Sequence, residues 1–561
     1  MLKDNVYNWN YLLLLILSLV LVVLAVNNIK HPMTEVHWDT PIYAYHGKRF
    51  AETNYLSSFV QHSQEIAEQV RAGSKKHRWP EYEGFPESYW HFIRLGNIVF
   101  LGLIYKAFGS SEEGLRISSI IYNVLFALAV LVAARASYSV NRLMEPEIPK
   151  TVILNGLFFS LIAYVMSDVY AYLGNNLVSE IPCIFFLALS VLLLSEGIFN
   201  HSFWRSILSG VFAFIAYFIR MDSIWIYLSF LLVLIFYFKH DNCKYVWWPG
   251  LLASGASALF LYSIYAWYFF PLANPLLFLE FSSIFNPKGT WALNRLVVAG
   301  GALWVGAFVG ILLIRRSLSV QLAMVWMLLI ILPWVPRLLW GSWGVQTRHF
   351  SVILLPLLLV SSRAWAGFLI HEYPRHRIFR TIVIFLTFGF IMVSQSGIYK
   401  RLLDFPGAWR LQLLRPYVSI PGREKTDYGL NELQQISNVI VKQKIPIVVV
   451  RSTSEEVWPS PPLAEALSLL RYFGTPYSPN ADLSLVADPK NSIRCDEAVQ
   501  DLRSEPVVFC VEYSESLKRR LLEEGISVLY LYRSGELQNA SLATPENRLL
   551  ATKSFLLLYK R

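Results

Sequence analysis

The stretch NLVSEIPCIFFLALSVLLL, Asn176–Leu194, decides the fold class of this chain. After the acid Glu180 it contains no charged residue. Because about 20 predominantly apolar residues cross a bilayer as a helix, we predict a membrane span near 179–196. The same rule predicts further spans, about eleven in all, near 11–28, 115–135, 150–167, 205–221, 223–238, 247–270, 296–314, 319–337, 348–362 and 379–397.

The composition is typical of a polytopic membrane protein. Of the 561 residues, 55% are hydrophobic and only 16% are charged, whereas a soluble chain carries about 25% charged residues. The net charge of +10 therefore does not indicate nucleic-acid binding, because Lys and Arg in a membrane protein mark its cytoplasmic side first.

Basic residues fall in alternate connections between the predicted spans and set the orientation. These residues are Arg135 and Arg142, then Lys239 and Lys244, then Arg315 and Arg316, then Arg363, Arg375, Arg377 and Arg380. Short basic loops face the cytoplasm, so we expect a cytoplasmic N-terminus, with the loop 29–114 and the tail after about 400 outside. The first run, 11–28, lacks a small-residue cleavage site, and we interpret it as a retained helix. The chain is then an integral protein of the plasma membrane, in a bacterium the inner membrane.

The segment Tyr89–Gly109, YWHFIRLGNIVFLGLIYKAFG, is also long enough to span. A span here would invert every later loop and place the arginine-rich loops outside. We therefore predict that this helix lies in the membrane interface, with His91, Arg94 and Lys106 facing headgroups or a cavity.

The tail, 401–561, alternates short apolar runs with amphipathic ones. IPIVVVR, PVVFCVE, ISVLYLY and SFLLLY have the pattern of strands, and the runs between them have the pattern of helices. This alternation predicts an extracytoplasmic α/β domain with a mainly parallel sheet. The tail has no glycine-rich phosphate loop and no metal-ligand spacing. Cys495 and Cys510 are compatible with a disulfide and equally with two free thiols.

Polar groups at or just outside membrane depth are costly, so they are candidates for function. Asp39 follows the first span and stands among aromatic residues suited to stacking on a sugar, Trp38, Tyr43 and Tyr45. A carboxylate there can accept a proton from a nucleophile, although a solvated loop acid has the same sequence signature. Glu180 heads a span on the same outer face; Asp168, in the preceding loop, competes with it, and an interfacial acid is the alternative.

Three further places carry cations. Arg348 and His349 open the run RHFSVILLPLLL at the outer end of a span, where a cation suits the phosphate of a lipid-linked substrate or simply anchors the helix. Arg220 and Asp222 lie between two spans and suit either a site or a structural ion pair. Arg116 is placed to contact phosphate or to pair with a neighbouring glutamate.

These motifs, taken in order, resemble those of the GT-C membrane glycosyltransferases. The resemblance rests on the Asp39 setting, KAFGSSEEGLR, NLVSEIP, IRMDS and RHFSVILLPLLL, and covers roughly residues 1–400. Within the superfamily the chain looks most like the protein O-mannosyltransferases and the aminoarabinose transferases that modify lipid A (glycosyltransferase family 39-like). The fold it implies is a helical polytopic membrane domain with juxtamembrane helices in the first outer loop.

The resemblance also implies a reaction and a set of roles. A polyprenyl-phosphate-linked sugar would be the donor, a lipid, protein or glycan the acceptor, and the anomeric centre would invert. Asp39 maps onto the catalytic acid of the first loop, and the substrate-binding positions map onto Glu180, Arg116, Arg348 and His349. Tyr43, His91, Arg94 and Arg220 complete the candidate site. A divalent cation between Asp39 and Glu180 is possible, and no ligand cluster demands it.

The sequence departs from the family pattern at three places. Asp39 is followed by Thr40 rather than a second acid, YWHFIRLGN stands where a His-Pro-Pro entry is common, and His349 replaces a tyrosine. Two other classes remain open from sequence alone. A transporter or flippase would show inverted repeats with paired broken helices, which the chain lacks, and a non-catalytic assembly protein would bind partners through its tail.

Overall fold

A computed structural model describes residues 39–52, 94–165, 177–240, 248–269, 296, 300, 303–335, 351–369, 438, 447–451, 507–510, 527–531, 547–551 and 555–560. Within these ranges the chain forms eleven α-helices, five strands and two 3₁₀ turns, one of them at 351–353. The helices are α1 Asp39–Glu52, α2 Leu95–Phe108, α3 Glu112–Met144, α4 Lys150–Val165, α5 Glu180–Phe199, α6 Phe203–Ile219, α7 Ser223–His240, α8 Trp248–Phe269, α9 Leu303–Leu313, α10 Leu318–Ile331 and α11 Leu354–Leu369, with the other 3₁₀ turn at Leu332–Trp334.

Among the residues that the structure describes, three helices are long and apolar enough to cross a membrane by length and composition, over Glu113–Met144, Glu180–Phe199 and Trp248–Tyr268. Seven further apolar helices are shorter. Every predicted span between 115 and 362 overlaps one of these helices. The predicted spans 11–28 and 379–397 lie outside the described residues, so the total of about eleven stays a prediction.

The helices α1 and α2 pack side by side and run in the same direction. Tyr43, near the start of α1, lies against Arg94 at the start of α2. The carboxylate of Glu52, the last residue of α1, accepts a hydrogen bond from Ser110 just beyond the end of α2. Glycines allow this close approach, since a Cβ added at Gly47 would stand 2.8 Å from that of Leu101. Two parallel neighbours need a long connection, which the chain supplies between residues 52 and 95.

The predicted interfacial segment Tyr89–Gly109 forms a helix only from Leu95 to Phe108 within its described part. Fourteen residues extend about 21 Å, which is shorter than the ~30 Å hydrocarbon core of a bilayer. Gly109, with φ +88°, adopts a backbone conformation that glycine reaches without penalty. The chain turns there into α3, whose cap residue Ser111 accepts a hydrogen bond from the Gly114 N–H. The position of this helix in the membrane interface stays a prediction.

The centre of the bundle is formed by α3, α5 and α6. Helices α5 and α6 form a hairpin, and α3 packs along α5 in the same direction, because Arg135 in the last third of α3 meets Glu196 near the end of α5. Small polar residues join α5, α6 and α8: Ser190 and Ser209 exchange hydrogen bonds of 2.8 Å through their hydroxyls and backbone carbonyls, and Ser254 donates to Ser209 at 3.0 Å. Such small residues let membrane helices approach closely.

Three assignments of basic residues to loops are wrong. Arg135 and Arg142 lie within α3, which continues to Met144, and Lys239 lies within the last turn of α7. Arg363 lies within α11 and is only 6% exposed. Its Nε donates to the Glu145 carboxylate at 2.7 Å, so a buried ion pair, rather than exposure to water, satisfies this cation.

The strands lie in one five-stranded sheet in the order β2-β1-β3-β5-β4. Their bounds are β1 Ile447–Arg451, β2 Val507–Cys510, β3 Ser527–Leu531, β4 Asn547–Ala551 and β5 Phe555–Lys560. Four of them coincide with the predicted strands, and β4 was not predicted.

The sheet is mixed rather than mainly parallel. Strand β1 is parallel to β2 and β3, but β5 is antiparallel to both of its neighbours. The connection Ala551–Phe555 is too short for a crossover, so β5 must return antiparallel to β4. Apart from Asn438, which is helical, the predicted helices of the tail lie outside the described part, as do the Cys495 position and the Cys510 side chain. The α/β domain at 401–561 stays a prediction.

Candidate active site

Glu180, Arg220 and Asp222 form a buried cluster at one end of the α5–α6 hairpin. Glu180 is the first residue of α5, and Arg220 and Asp222 lie in the short break between α6 and α7. One terminal nitrogen of the Arg220 guanidinium pairs with Glu180 Oε1. Its Nε donates to Asp222 Oδ1 at 2.8 Å and its other terminal nitrogen to Asp222 Oδ2 at 2.5 Å. The three residues are 0%, 3% and 8% exposed, respectively.

The break between α6 and α7 is what brings this cluster together. Arg220 has an extended backbone, with φ −147° and ψ 116°, so its side chain leaves the helical path and turns toward α5. The chain then resumes as a helix at Ser223. With ionised side chains the cluster holds two carboxylates and one guanidinium, a formal charge of −1. A bidentate pair of this kind fixes the arginine in one orientation.

A second buried polar cluster joins α1, α2 and α3. Arg94 donates to the Tyr43 hydroxyl at 2.5 Å, and Tyr43 is 1% exposed. The Tyr122 hydroxyl donates to Asn97 Oδ1 at 2.6 Å. Because Arg94 and Asn97 are three residues apart at the start of α2, both contacts lie at the same end of this helix.

Gly96 connects the two clusters. A Cβ added at Gly96 would lie 2.7 Å from the backbone nitrogen of Ile219 and 2.7 Å from the carbonyl carbon of Phe218. The start of α2 therefore touches the last residues of α6, directly before Arg220. Four of the residues predicted from sequence, Glu180, Arg220, Tyr43 and Arg94, thus belong to one end of the bundle.

The other predicted residues fall into two groups. Asp39 is the first residue of α1, one helical turn before Tyr43, and its side chain is outside the described part. Arg116 is exposed in the second turn of α3. His91, Asp168, Arg348 and His349 lie outside the described residues.

The described side chains of the site give no indication of a metal ion. In the part of the chain that the structure describes, no group of three or more His, Cys, Asp or Glu side chains is placed to bind one. Glu180, the proposed partner of Asp39 around a divalent cation, instead binds the guanidinium of Arg220. The Asp39 side chain, the other proposed ligand, lies outside the described part, so a divalent cation between the two acids stays a prediction.

No family model and no curated protein matches the chain. Solved structures do. ArnT from Cupriavidus metallidurans bound to undecaprenyl phosphate is 12% identical over 91% of this chain and 98% of its own, with a TM-score of 0.44. The Archaeoglobus fulgidus oligosaccharyltransferase tethered to an acceptor peptide is 14% identical over 92% of this chain and 69% of its own, with a TM-score of 0.43.

The first of these structures contains undecaprenyl phosphate, and the second is an oligosaccharyltransferase with its acceptor peptide. The identities and TM-scores are too low to carry activity, substrates or residue roles from them to this chain. The chemistry proposed below therefore depends on this chain's own residues.

Sequence reasoning missed part of this end of the bundle. Asn97 and Tyr122 are fully buried and paired with each other. Cys183 is also fully buried and lies one turn after Glu180. The only signal in the sequence was a polar residue within an apolar run, which is too common in membrane helices to nominate a partner.

Proposed function

We propose that this protein is a glycosyltransferase that moves a sugar from a polyprenyl-phosphate-linked donor to an acceptor hydroxyl at the outer face of the membrane. The observation that carries the proposal is the convergence at one bundle end of the Glu180–Arg220–Asp222 cluster and the Tyr43–Arg94 pair. Charged groups buried in a membrane domain are costly, so those that are present are candidates for function. The motifs that led to these residues are those of the GT-C resemblance, and a lipid, protein or glycan is the acceptor.

In the proposed reaction the acceptor oxygen attacks the anomeric carbon on the face opposite the lipid phosphate. The bond from that carbon to the phosphate oxygen breaks with inversion, and polyprenyl phosphate leaves. Asp39 takes the acceptor's proton as general base. Cations stabilise the charge that develops on the phosphate, and the candidates for this role are Arg94, Arg116, Arg348 and His349.

Arg220 and Glu180 have a different role in this scheme. Arg220 is already bound by two carboxylates and buried, so it is poorly placed to give its guanidinium to a phosphate. We assign both as positioning residues, which hold the start of α5 against the break after α6. Because Gly96 touches this break, the pair also fixes the start of α2, where Arg94 and its partner Tyr43 are located.

The test is a transfer assay in isolated membranes with radiolabelled polyprenyl-phosphate sugars. We compare the wild type with Asp39→Asn and with Glu147→Gln, which removes an exposed carboxylate between α3 and α4. We expect the wild type and Glu147→Gln to move label from the lipid to an acceptor, and Asp39→Asn to lose transfer at equal membrane expression.

Two results would contradict the proposal at different levels. Substantial transfer by Asp39→Asn would remove Asp39 as the base but leave the glycosyltransferase reaction standing. If no donor is consumed by any variant while a lipid or solute crosses the membrane only when the protein is present, the protein is a transporter.

A further inference from the structure

The end of α5 opposite the candidate active site forms a second polar site. A cleft of about 310 Å³ lies there between α3, α5 and the start of α6. Glu180 and Glu196 are sixteen positions apart on one helix, which separates the two sites by about 24 Å at 1.5 Å per residue. The cleft is lined mainly by Arg135, Tyr138, Arg142, Glu196, Phe199 and Arg205.

The cleft carries more positive than negative charge. Arg135 and Arg205 share the single Glu196 carboxylate, at 2.8 Å and 3.4 Å. Arg142 pairs with no carboxylate among the residues that the structure describes. Its guanidinium instead lies over the aromatic rings of Phe199, at 4.8 Å, and Tyr138, at 5.9 Å. Three guanidinium groups and one carboxylate give a formal charge of +2.

Aromatic residues beside the cleft indicate its depth in the membrane. Phe203 and Trp204 open α6 directly before Arg205, and their side chains are 51% and 74% exposed. Exposed aromatic side chains beside a cation are typical of the membrane–water interface, where ring and headgroup lie at one level. Leu208, one turn further along α6, is also 44% exposed, so an apolar face continues from the cleft toward the hydrocarbon region.

We propose that this cleft binds the phosphodiester headgroup of an anionic membrane lipid. Arginine suits a phosphate because its planar fork donates two parallel hydrogen bonds. The exposed face at Trp204 and Leu208 would contact the acyl chain, which a free phosphate ion lacks. Basic pockets between helices at the cytoplasmic side of a membrane protein recognise anionic headgroups. The predicted orientation places this end of α5 at that side.

This site is independent of the proposed transfer reaction. None of its residues belongs to the candidate active site. A failure of the lipid-binding test therefore leaves the glycosyltransferase proposal untouched, and the converse also holds.

The test is a binding measurement on the full-length protein, purified and delipidated in detergent. Native mass spectrometry would count bound phosphatidylglycerol, with phosphatidylcholine and inorganic phosphate as the alternative probes. A photoreactive phosphatidylglycerol would then locate the site by cross-linking. The variant is Arg142→Gln, because this cation has no carboxylate that its removal would leave buried. The matched control is Arg316→Gln, an exposed arginine in the loop between α9 and α10.

We expect phosphatidylglycerol to bind more tightly than phosphatidylcholine and to cross-link to the start of α6. Arg142→Gln should weaken phosphatidylglycerol binding about fivefold, since one basic side chain near an anionic lipid surface has about this effect. Arg316→Gln should leave it unchanged. Arg205→Gln should also weaken binding and serves as the second variant if Arg142→Gln fails to fold.

Three results would overturn the proposal. Inorganic phosphate that displaces the lipid at equal concentration would assign the cleft to a soluble anion. Equal binding of phosphatidylcholine and phosphatidylglycerol would remove the role of charge. Unchanged binding in both arginine variants, or a cross-link at another part of the chain, would remove the cleft itself.

Discussion

Replacing Arg220 by glutamine should destabilise the protein much more than replacing Glu180 by glutamine. Arg220→Gln leaves the Glu180 and Asp222 carboxylates buried together without a cation, at 0% and 8% exposure. Breaking a buried ion pair from one side costs about 3–5 kcal/mol, because the remaining charge cannot reach water. Here two charges of the same sign remain, so we expect the upper part of that range.

The Glu180→Gln variant is milder for a structural reason. Arg220 keeps both of its hydrogen bonds to Asp222, at 2.8 Å and 2.5 Å. The amide oxygen of glutamine can still accept from the guanidinium, and the cluster changes from a formal charge of −1 to neutral. We expect a loss of about 1–2 kcal/mol, the range for one weakened buried hydrogen bond.

The measurement is unfolding by SDS in mixed micelles, followed by tryptophan fluorescence, for Glu180→Gln, Arg220→Gln and the double variant. Contact between the two side chains predicts a coupling free energy of about 1–3 kcal/mol, since residues that touch are not additive. The exposed Arg316→Gln serves as the control for loss of one arginine. If the two single losses add within about 0.5 kcal/mol, or Arg220→Gln is as stable as Glu180→Gln, the buried cluster does not exist as described.

Three further variants test other contacts. Gly96→Ala should lower the free energy of unfolding by about 1–3 kcal/mol and lower sugar transfer, because the new Cβ would stand 2.7 Å from backbone atoms of α6. The control Gly255→Ala, where the new Cβ meets nothing within 4 Å, should change neither quantity. Equal transfer by both variants would refute the link between the α2–α6 contact and the reaction. Glu145→Ala should lower the free energy of unfolding in SDS by about 3 kcal/mol, because it removes the carboxylate 2.7 Å from the buried Arg363. An unchanged unfolding midpoint would exclude this ion pair. Tyr122→Phe should cost about 1–2 kcal/mol by deleting a 2.6 Å hydrogen bond to α2, and no loss in the same assay would contradict that bond.

The positions of the helices could be predicted from the sequence because long apolar runs fix them locally. The ends of the helices could not, because burial decides them. Arg363 has the sequence signature of a loop cation, yet α11 continues past it. The helix can bury this arginine because Glu145, in the connection between α3 and α4, pairs with its guanidinium. Strand β4, NRLLA, was missed because its apolar part is three residues long and only its pairing with β5 makes it a strand.

The residues of the candidate site could be predicted from the sequence, but their contacts could not. Residue type and the GT-C resemblance nominated Glu180, Arg220, Tyr43 and Arg94 one by one. Their pairing could not be predicted, because Glu180 and Arg220 are forty positions apart and meet only through the α5–α6 hairpin. Tyr43 and Arg94 are fifty-one positions apart and meet only because α1 and α2 run parallel. The contact at Gly96 depends on the absence of a side chain, which no pattern of polar residues reveals.

The two acids of α5 show how one helix can support two different sites. Glu180 lies at the N-terminus, where the helix dipole favours a negative charge. Glu196 lies in the last turn, where the same dipole disfavours it, and two arginines compensate there. A cation shared between two acids leaves a negative cluster at the first end, while an acid shared between two arginines leaves a positive cleft at the second. The first arrangement fits the positioning role proposed for the Glu180 cluster, and the second fits the anionic ligand proposed for the cleft, because the uncompensated charge has opposite sign at the two ends of α5.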